Sequence, residues 1–294
     1  MSWPLLKSGD AVSVIAPAGP FDPTPFKQGL AALEAMGLQP KFDPRIFERD
    51  GYLAGDDTRR LTELHAAFRD PATHAVFCAR GGYGSMRLLP RIDIDELPHK
   101  PLVGFSDVTA LHLLWNREGR PSIHGPVVTQ LGKQPESVRR ALAKLLFKGE
   151  PPRLTGAKAL HPGKVTAPLV GGNLTVLTHL IGTPYLPELR GKLLFLEDVG
   201  ERPYRLDRML TQLKLAGLFD GVAGIAVGGL TGCEDKDAPY TARNVVQAML
   251  ADLPIPSALD FAVGHGEVNQ PLLFGVPTTL DADAGTLEAA APTR

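Results

Sequence analysis

The segment PLVGFSDVTALHLLW, residues 101 to 115, sets a serine between a short apolar run and a helical pattern, with Gly104 two places before it. A serine at a sharp strand-to-helix turn lifts its hydroxyl above a sheet, and the N–H of the next residue can face a developing oxyanion. Ser106 is therefore a candidate nucleophile, with Asp107 supplying that N–H. Val108 stands where a G-x-S-x-G elbow has its second glycine. The same residues also read as a helix N-cap at Ser106 ahead of Asp107.

A serine hydroxyl becomes a nucleophile only beside a base that is itself held by an orienting group. Of the eight histidines, His65, His112 and His179 fall in helical patterns, and His74, His99 and His161 in polar connections. His124, in SIHGP, and His265, in VGHGEVNQP, each follow a strand-like run and abut glycine. His265 has glycine on both sides, which frees its backbone and opens access to its ring. For the orienting group, Glu197 and Asp198 end the apolar run KLLFLED, where partial burial suits a carboxylate to holding one imidazole tautomer. Their alternative role is pairing with Arg202 or Arg205.

In CARGGYGSMRLLPRID, residues 78 to 93, Gly81, Gly82 and Gly84 follow a strand-like run and precede a helical one, so backbone N–H groups there can face an anion. The spacing is not G-x-G-x-x-G and no Walker lysine follows, which turns the reading from phosphate toward an oxyanion or carboxylate cradle. Arg80, Arg202 and Arg205 are candidates for gripping a free carboxylate, each with an ion pair as the alternative.

These residues need elements to position them. Short β-branched runs at 11 to 17, 75 to 80, 101 to 106 and 121 to 126 alternate with helical patterns such as FKQGLAALEAMG and DDTRRLTELHAAF, the signature of a largely parallel sheet. The first half, residues 1–150, reads as an open, doubly wound, Rossmann-like α/β domain. After SVRRALAKLLF the composition turns to Pro, Gly and Lys, placing a linker at 151–165. Residues 166–294 form a second α/β domain, expected to be smaller and mixed or barrel-like. Its strands are expected at 192 to 198, 222 to 229, 256 to 264 and 271 to 280, with helices near 205 to 217 and 241 to 252.

With 44% apolar and 21% charged residues, the composition is that of a globular protein. The 31 basic and 32 acidic residues nearly balance and form no basic stripe, which argues against nucleic acid as a partner. No segment offers the roughly 20 apolar residues of a membrane span. The start MSWPLLKSGD, broken by Pro4 and Gly9, has no leader pattern, so a cytoplasmic location is expected. Cys78 and Cys233, far apart in the chain, are expected as buried thiols.

The segments VSVIAPAGP, GYLAGDDTRRLTELHAAF, ARGGYGSMRLLPRID, VGFSDVTALH, SIHGP, LVGGNLTVLTHLIGTPY, LLFLEDVGERPYRLDRMLTQL and VGHGEVNQPLLFGV, in this order, resemble the serine L,D-carboxypeptidases that trim murein tetrapeptides and their microcin C self-immunity relatives. The resemblance spans nearly the whole chain. It implies a Ser-Glu-His triad, which falls here on Ser106, Glu197 and His265, and an oxyanion site of the Asp107 and Gly82 N–H groups. It implies a Rossmann-like N-terminal domain and a C-terminal swivelling β/α domain, often paired in homodimers, with no metal or other cofactor. The expected reaction is release of a terminal D-amino acid from murein tetrapeptide, with Arg80, Arg202, Arg205 and His124 as substrate-binding candidates. Rival readings are a microcin-immunity type peptidase acting on peptidyl-nucleotide conjugates and a non-catalytic protein binding a small ligand.

Overall fold

A computed structural model describes residues 5–235, 237 and 239–290. Pro4, invoked above, lies outside them, as do Lys236 and Ala238 in the segment LTGCEDKDAPY. The strands are β1 (Ala11–Ile15), β2 (Gln39–Lys41), β3 (Val76–Cys78), β4 (Leu102–Gly104), β5 (Ser122–His124), β6 (Arg153–Leu154), β7 (Lys158–His161), β8 (Lys164–Asn173), β9 (Leu193–Val199), β10 (Gly224–Thr231), β11 (Ser257–Leu259), β12 (Leu272–Phe274), β13 (Pro277–Asp281) and β14 (Thr286–Ala289). The α-helices are α1 (Pro23–Ala35), α2 (Asp57–Arg69), α3 (Thr109–Arg117), α4 (Val128–Leu131), α5 (Glu136–Lys148), α6 (Leu174–His179), α7 (Pro203–Leu215) and α8 (Ala242–Leu250). The protein is α/β with two sheets.

The first sheet runs β12-β5-β4-β3-β1-β2, parallel except for β12. Its parallel part reverses direction of growth between β1 and β3, and in such sheets the crevice at the carboxyl ends of those two strands is where ligands collect. There the loop after β1 meets the loop after β3, Gly19 N–H donating to the Gly81 carbonyl at 3.0 Å. The second sheet runs β6-β14-β13-β8-β9-β10-β11-β7: β8 to β11 are mutually parallel, and antiparallel strands close both flanks. It has eight strands to the first sheet's six, two of them, β6 and β7, contributed by residues before 166.

Two segments differ from their expected roles. Residues 151–165 carry β6 and β7, the two edge strands of the second sheet, so this stretch is built into the sheet and does not hang as a linker. The run 271 to 280 is two strands in two sheets: β12 pairs with β5 and β13 with β8. The break between them is Gly275, at φ +81°, where a side chain would press against Asn116 and Pro121. We propose a domain division near residue 150, with β12 returned to the first domain.

An apolar core is shared between the sheets. Leu111 and Leu114 of α3, Leu174 and Leu177 of α6, and Leu210 and Leu213 of α7 belong to one buried cluster. A core continuous across both sheets holds their relative placement by hydrophobic burial. Cys78 and Cys233 are both buried free thiols, as expected, and burial pushes the Cys233 thiol up to about 11. Among the described residues no helix is long and apolar enough to cross a membrane.

Candidate active site

The nucleophile candidate stands at the carboxyl end of β4. Phe105 is extended, Ser106 turns to φ +65°, and residues Ser106–Val108 form one 3-10 turn leading into α3. Ser106 and Asp260 are the only non-glycine residues with positive φ among the described residues. A serine costs free energy in that region, and such outliers cluster at functional sites. The N-cap reading of Ser106 fails: α3 starts at Thr109, its N-cap is Val108, and no side chain caps it.

Two glycines make room for this turn. A side-chain carbon on Gly104 would lie 3.0 Å from both Cys78 Cβ and a Val108 methyl, so β4 needs glycine where the turn folds back on it. A carbon on Gly81 would sit 2.8 Å from Ser106 Cβ and Oγ and 3.3 Å from Asp107 N. Gly81 is thus the member of the glycine loop pressed against the serine; Gly82, at φ +105°, packs on Gly19. The Asp107 side chain is buried and turned away to accept from Ser85 N–H at 2.8 Å, which ties the serine turn to the end of the glycine loop. Burial pushes its carboxyl pKa up, with the Ser85 N–H pulling against it.

The carboxylate and the imidazole come from the second half. Glu197 lies near the end of β9, whose buried part closes with Asp198, and has no solvent exposure. His265 Nδ1–H donates to its Oε2 at 2.7 Å, which leaves Nε2 as the face of the ring free to take a proton. Burial pushes the Glu197 carboxyl up, and the His265 contact opposes it. Asn173, paired in register with Glu197 at the end of β8, donates from Nδ2 to Glu197 Oε1 at 3.3 Å and to Asp198 Oδ1 at 3.0 Å. Asp198 is the scaffold carboxylate: it accepts from Thr175 N–H at 2.9 Å and Thr175 Oγ1 at 2.8 Å.

Two contacts join the halves here. Asn173 N–H donates to Thr109 Oγ1, in the first turn of α3, at 2.9 Å. Thr109 approaches so closely that a carbon on Gly172 would lie 2.5 Å from its oxygen. The Phe105 ring, one residue before Ser106, lies 4.7 Å from the His265 ring. The serine and the Glu197–His265 pair are therefore neighbours, although no hydrogen bond links Ser106 to His265. Such bonds are commonly long before substrate arrives.

Other candidates fall elsewhere. His124 is fully buried among Phe105, Phe195 and Phe274, and neither ring nitrogen has a partner. It is a packing residue with no surface to offer a substrate, and burial holds its pKa well below the usual range. Its sequence context resembled that of His265, but β5 runs inside the sheet whereas the His265 loop emerges. Arg80 precedes Gly81, is exposed, and donates to the Pro20 carbonyl. Arg202 is exposed before α7. Arg205 pairs with Glu201 at 3.3 Å in a cleft of about 580 Å³ that reaches Asp198 through Thr175. Gly81 belongs to the glycine loop that the sequence singled out, whereas Thr109 and Asn173 were missed by sequence reasoning; the glycine pair before Asn173 was the available signal.

Residues 12–125 match the LD-carboxypeptidase N-terminal domain and residues 166–280 the LD-carboxypeptidase C-terminal domain. The murein tetrapeptide carboxypeptidase of Pseudomonas aeruginosa is 34% identical over 290 residues, covering 92% of this chain and 93% of that protein. A probable murein peptide carboxypeptidase of Bacillus subtilis is 38% identical over 271 residues, covering 88% and 85%. The muramoyltetrapeptide carboxypeptidase of Oxalobacter formigenes has a similar structure, with a TM-score of 0.86 at 26% identity over 96% of this chain and all of that one. The microcin immunity protein MccF, solved with glutamyl sulfamoyl guanosine, shares the fold with a TM-score of 0.90 at 23% identity over 99% of both chains. The chain belongs to the LD-carboxypeptidase family, a family of serine peptidases.

Proposed function

We propose that this protein is an L,D-carboxypeptidase that releases the terminal D-amino acid from murein tetrapeptide by way of an acyl-enzyme on Ser106. The observation that carries this reading is the 2.7 Å contact between His265 and the buried Glu197, set beside a serine in a strained turn. In the reaction His265 Nε2 takes the Ser106 proton as Oγ attacks the scissile carbonyl. Glu197 holds the imidazole by its other nitrogen and balances its positive charge while protonated. The Asp107 N–H and the Gly82 N–H, on the loop whose Gly81 abuts Ser106, stabilise the oxyanion. His265 then protonates the leaving amine, and water enters by the same route to hydrolyse the ester.

The murein substrate is favoured over a peptidyl-nucleotide conjugate because curated relatives at 34% and 38% identity are named for murein peptides, whereas the MccF likeness is one of fold. With it we place the reaction in cytoplasmic cell-wall recycling, carried out by a homodimer. Of the three arginines, Arg80 is nearest in sequence to the glycine loop and is our choice for the terminal carboxylate.

The test is release of D-alanine from purified tetrapeptide (L-Ala, D-Glu, diaminopimelate, D-Ala), followed by mass spectrometry for wild type and Ser106→Ala. Release by the wild type alone is expected. Equal release by both proteins removes Ser106 as nucleophile, and release by neither moves the substrate to the conjugates.

A further inference from the structure

His265 is carried by a loop, and a loop by itself gives poor control over a ring that must meet both Glu197 and Ser106. The loop leaves the second sheet after β11 and enters the first sheet at β12. Its first residues are held to β10, Phe261 N–H donating to the Val227 carbonyl at 3.1 Å and Gly229 N–H to the Val263 carbonyl at 2.8 Å, and three further hydrogen bonds fasten the part around His265. Gln270 N–H donates to the Ala262 carbonyl at 3.0 Å, closing its neck. Gly264 N–H, next to His265, donates to Asn269 Oδ1 at 2.9 Å. Asn269 N–H donates to Gln134 Oε1 at 2.9 Å, and Gln134 lies in the connection between α4 and α5, on the half of the protein that carries Ser106.

Both amides are withdrawn from solvent: Asn269 is fully buried and Gln134 is 7% exposed. Gly264 leaves no slack, because at φ +118° a side-chain carbon on it would lie 2.6 Å from Glu197 Oε2. The backbone preceding His265 is thus trapped between the carboxylate that orients the imidazole and the Asn269 amide. Asn269 is in turn referred to the body of the nucleophile by Gln134.

We propose that Asn269 and Gln134 are positioning residues that hold the His265 loop in register with Ser106, a role that rests on the reading of His265 as the base for that serine. Neither touches the reacting atoms; they act through Gly264. Their loss should slow every step in which His265 takes a proton from Ser106 and leave substrate affinity nearly untouched.

The variants are Asn269→Ala, Gln134→Ala and Gln134→Glu, the last keeping an acceptor oxygen for Asn269 N–H. Two readouts are taken: kcat and KM on the tetrapeptide, and the rate and final stoichiometry of labelling by a fluorophosphonate. In labelling, the Ser106 Oγ–P bond forms, the P–F bond breaks, fluoride leaves and the serine proton passes to His265. Misplacing the base should slow labelling and kcat about 10- to 100-fold in Asn269→Ala and about 3- to 10-fold in Gln134→Ala, with full stoichiometry and KM within about threefold. Gln134→Glu should come back to within about twofold of wild type.

Wild-type labelling rates in Gln134→Ala overturn the proposal, as does slowing that Gln134→Glu shares in full. A lowered stoichiometry with an unchanged rate also overturns it, since that marks a purely structural role, and the Gln134 pair decides even where Asn269→Ala does not fold. A wild type that takes no label removes the serine-peptidase reading itself, and with it this role. A labelled wild type that ignores the tetrapeptide leaves the clamp testable and faults only the substrate.

Discussion

The nucleophile turn and the base loop reach the same point by opposite routes. The turn is the more local: β4, the 3-10 turn at Ser106 and α3 are consecutive, Gly104 and Val108 lie within five residues of one another, and its outside supports, Cys78, Gly81 and Ser85, all come from the neighbouring β3 and the loop after it. The base loop is assembled from a distance. His265 is held by Glu197, 68 positions earlier, and its neighbour Asn269 by Gln134, 135 positions earlier. A local turn can be replaced by its own neighbours, whereas a long-range clamp fails wherever one remote partner is lost. The two regions should therefore respond to mutation in different ways.

The largest effect is expected at the long-range pair. In Glu197→Gln the amide can donate to His265 Nδ1 and so favour the tautomer that presents a proton, not a lone pair, toward Ser106. A loss of this kind in an analogous Ser-His-Asp site is about 10⁴-fold in kcat. D-alanine release under saturating tetrapeptide should fall by that order with the thermal midpoint little moved. A fall of less than about tenfold would mean that Glu197 serves the scaffold like Asp198, and that the base is oriented by something else.

A smaller but still large loss is expected on the local side. Gly81→Ala places a carbon within 2.8 Å of both Ser106 Cβ and Oγ, so either the glycine loop or the serine turn must shift. A displacement of about 1 Å between nucleophile and carbonyl costs about 10²-fold. The loss should appear in both kcat and fluorophosphonate labelling, because the crowded atom is the nucleophile itself. Wild-type labelling with reduced tetrapeptide turnover would instead confine the damage to the substrate side of the loop.

What the sequence made legible follows the same division. The Ser106 turn, the glycine loop after β3 and the alternating elements of the first half were readable because glycine, helical periodicity and strand runs act over a few residues. Apolar periodicity also placed β9, β10, α7 and α8 close to their observed ranges. Ser106, Glu197 and His265 could be named together only through the family resemblance. In sequence context His124 and His265 both follow a strand-like run and abut glycine, His265 differing by a second glycine, and only the sheet decides that His124 is sealed among aromatic rings. The run 271 to 280 was read as one strand since its side chains carry no mark that it leaves one sheet for the other. Asn173, Gln134 and Asn269 were unreadable for a related reason: each is tied by backbone or amide contacts to residues far along the chain.

The mildest effect tests whether the local turn is as self-sufficient as it looks. His112, in α3, is fully buried; its Nε2–H donates to the Gly104 carbonyl at 2.9 Å and its Nδ1 accepts from Ser122 Oγ at 2.8 Å. Burial holds its pKa down to about 4, against 6.5 in the open, with the Gly104 contact opposing. As pH falls from 6.5 toward 4, the unfolded chain takes up a proton that the folded one refuses. Stability from this group is present above the upper value and lost by the lower one, a change on the order of 3 kcal/mol. His112→Gln keeps a donor toward Gly104 but does not titrate. Its stability deficit, measured by urea unfolding, should therefore be larger at neutral pH than near the lower bound, by about 2 to 3 kcal/mol. His124, 6.3 Å away and pushed in the same direction, is present in both proteins and largely cancels in the difference. A deficit that does not change with pH would mean that His112 titrates alike folded and unfolded, and one that is smaller at neutral pH would mean that the folded chain keeps it charged. The carbonyl of Gly104 would then be held by a charge, and the floor of the nucleophile turn would depend on the interior as much as the base loop depends on Gln134.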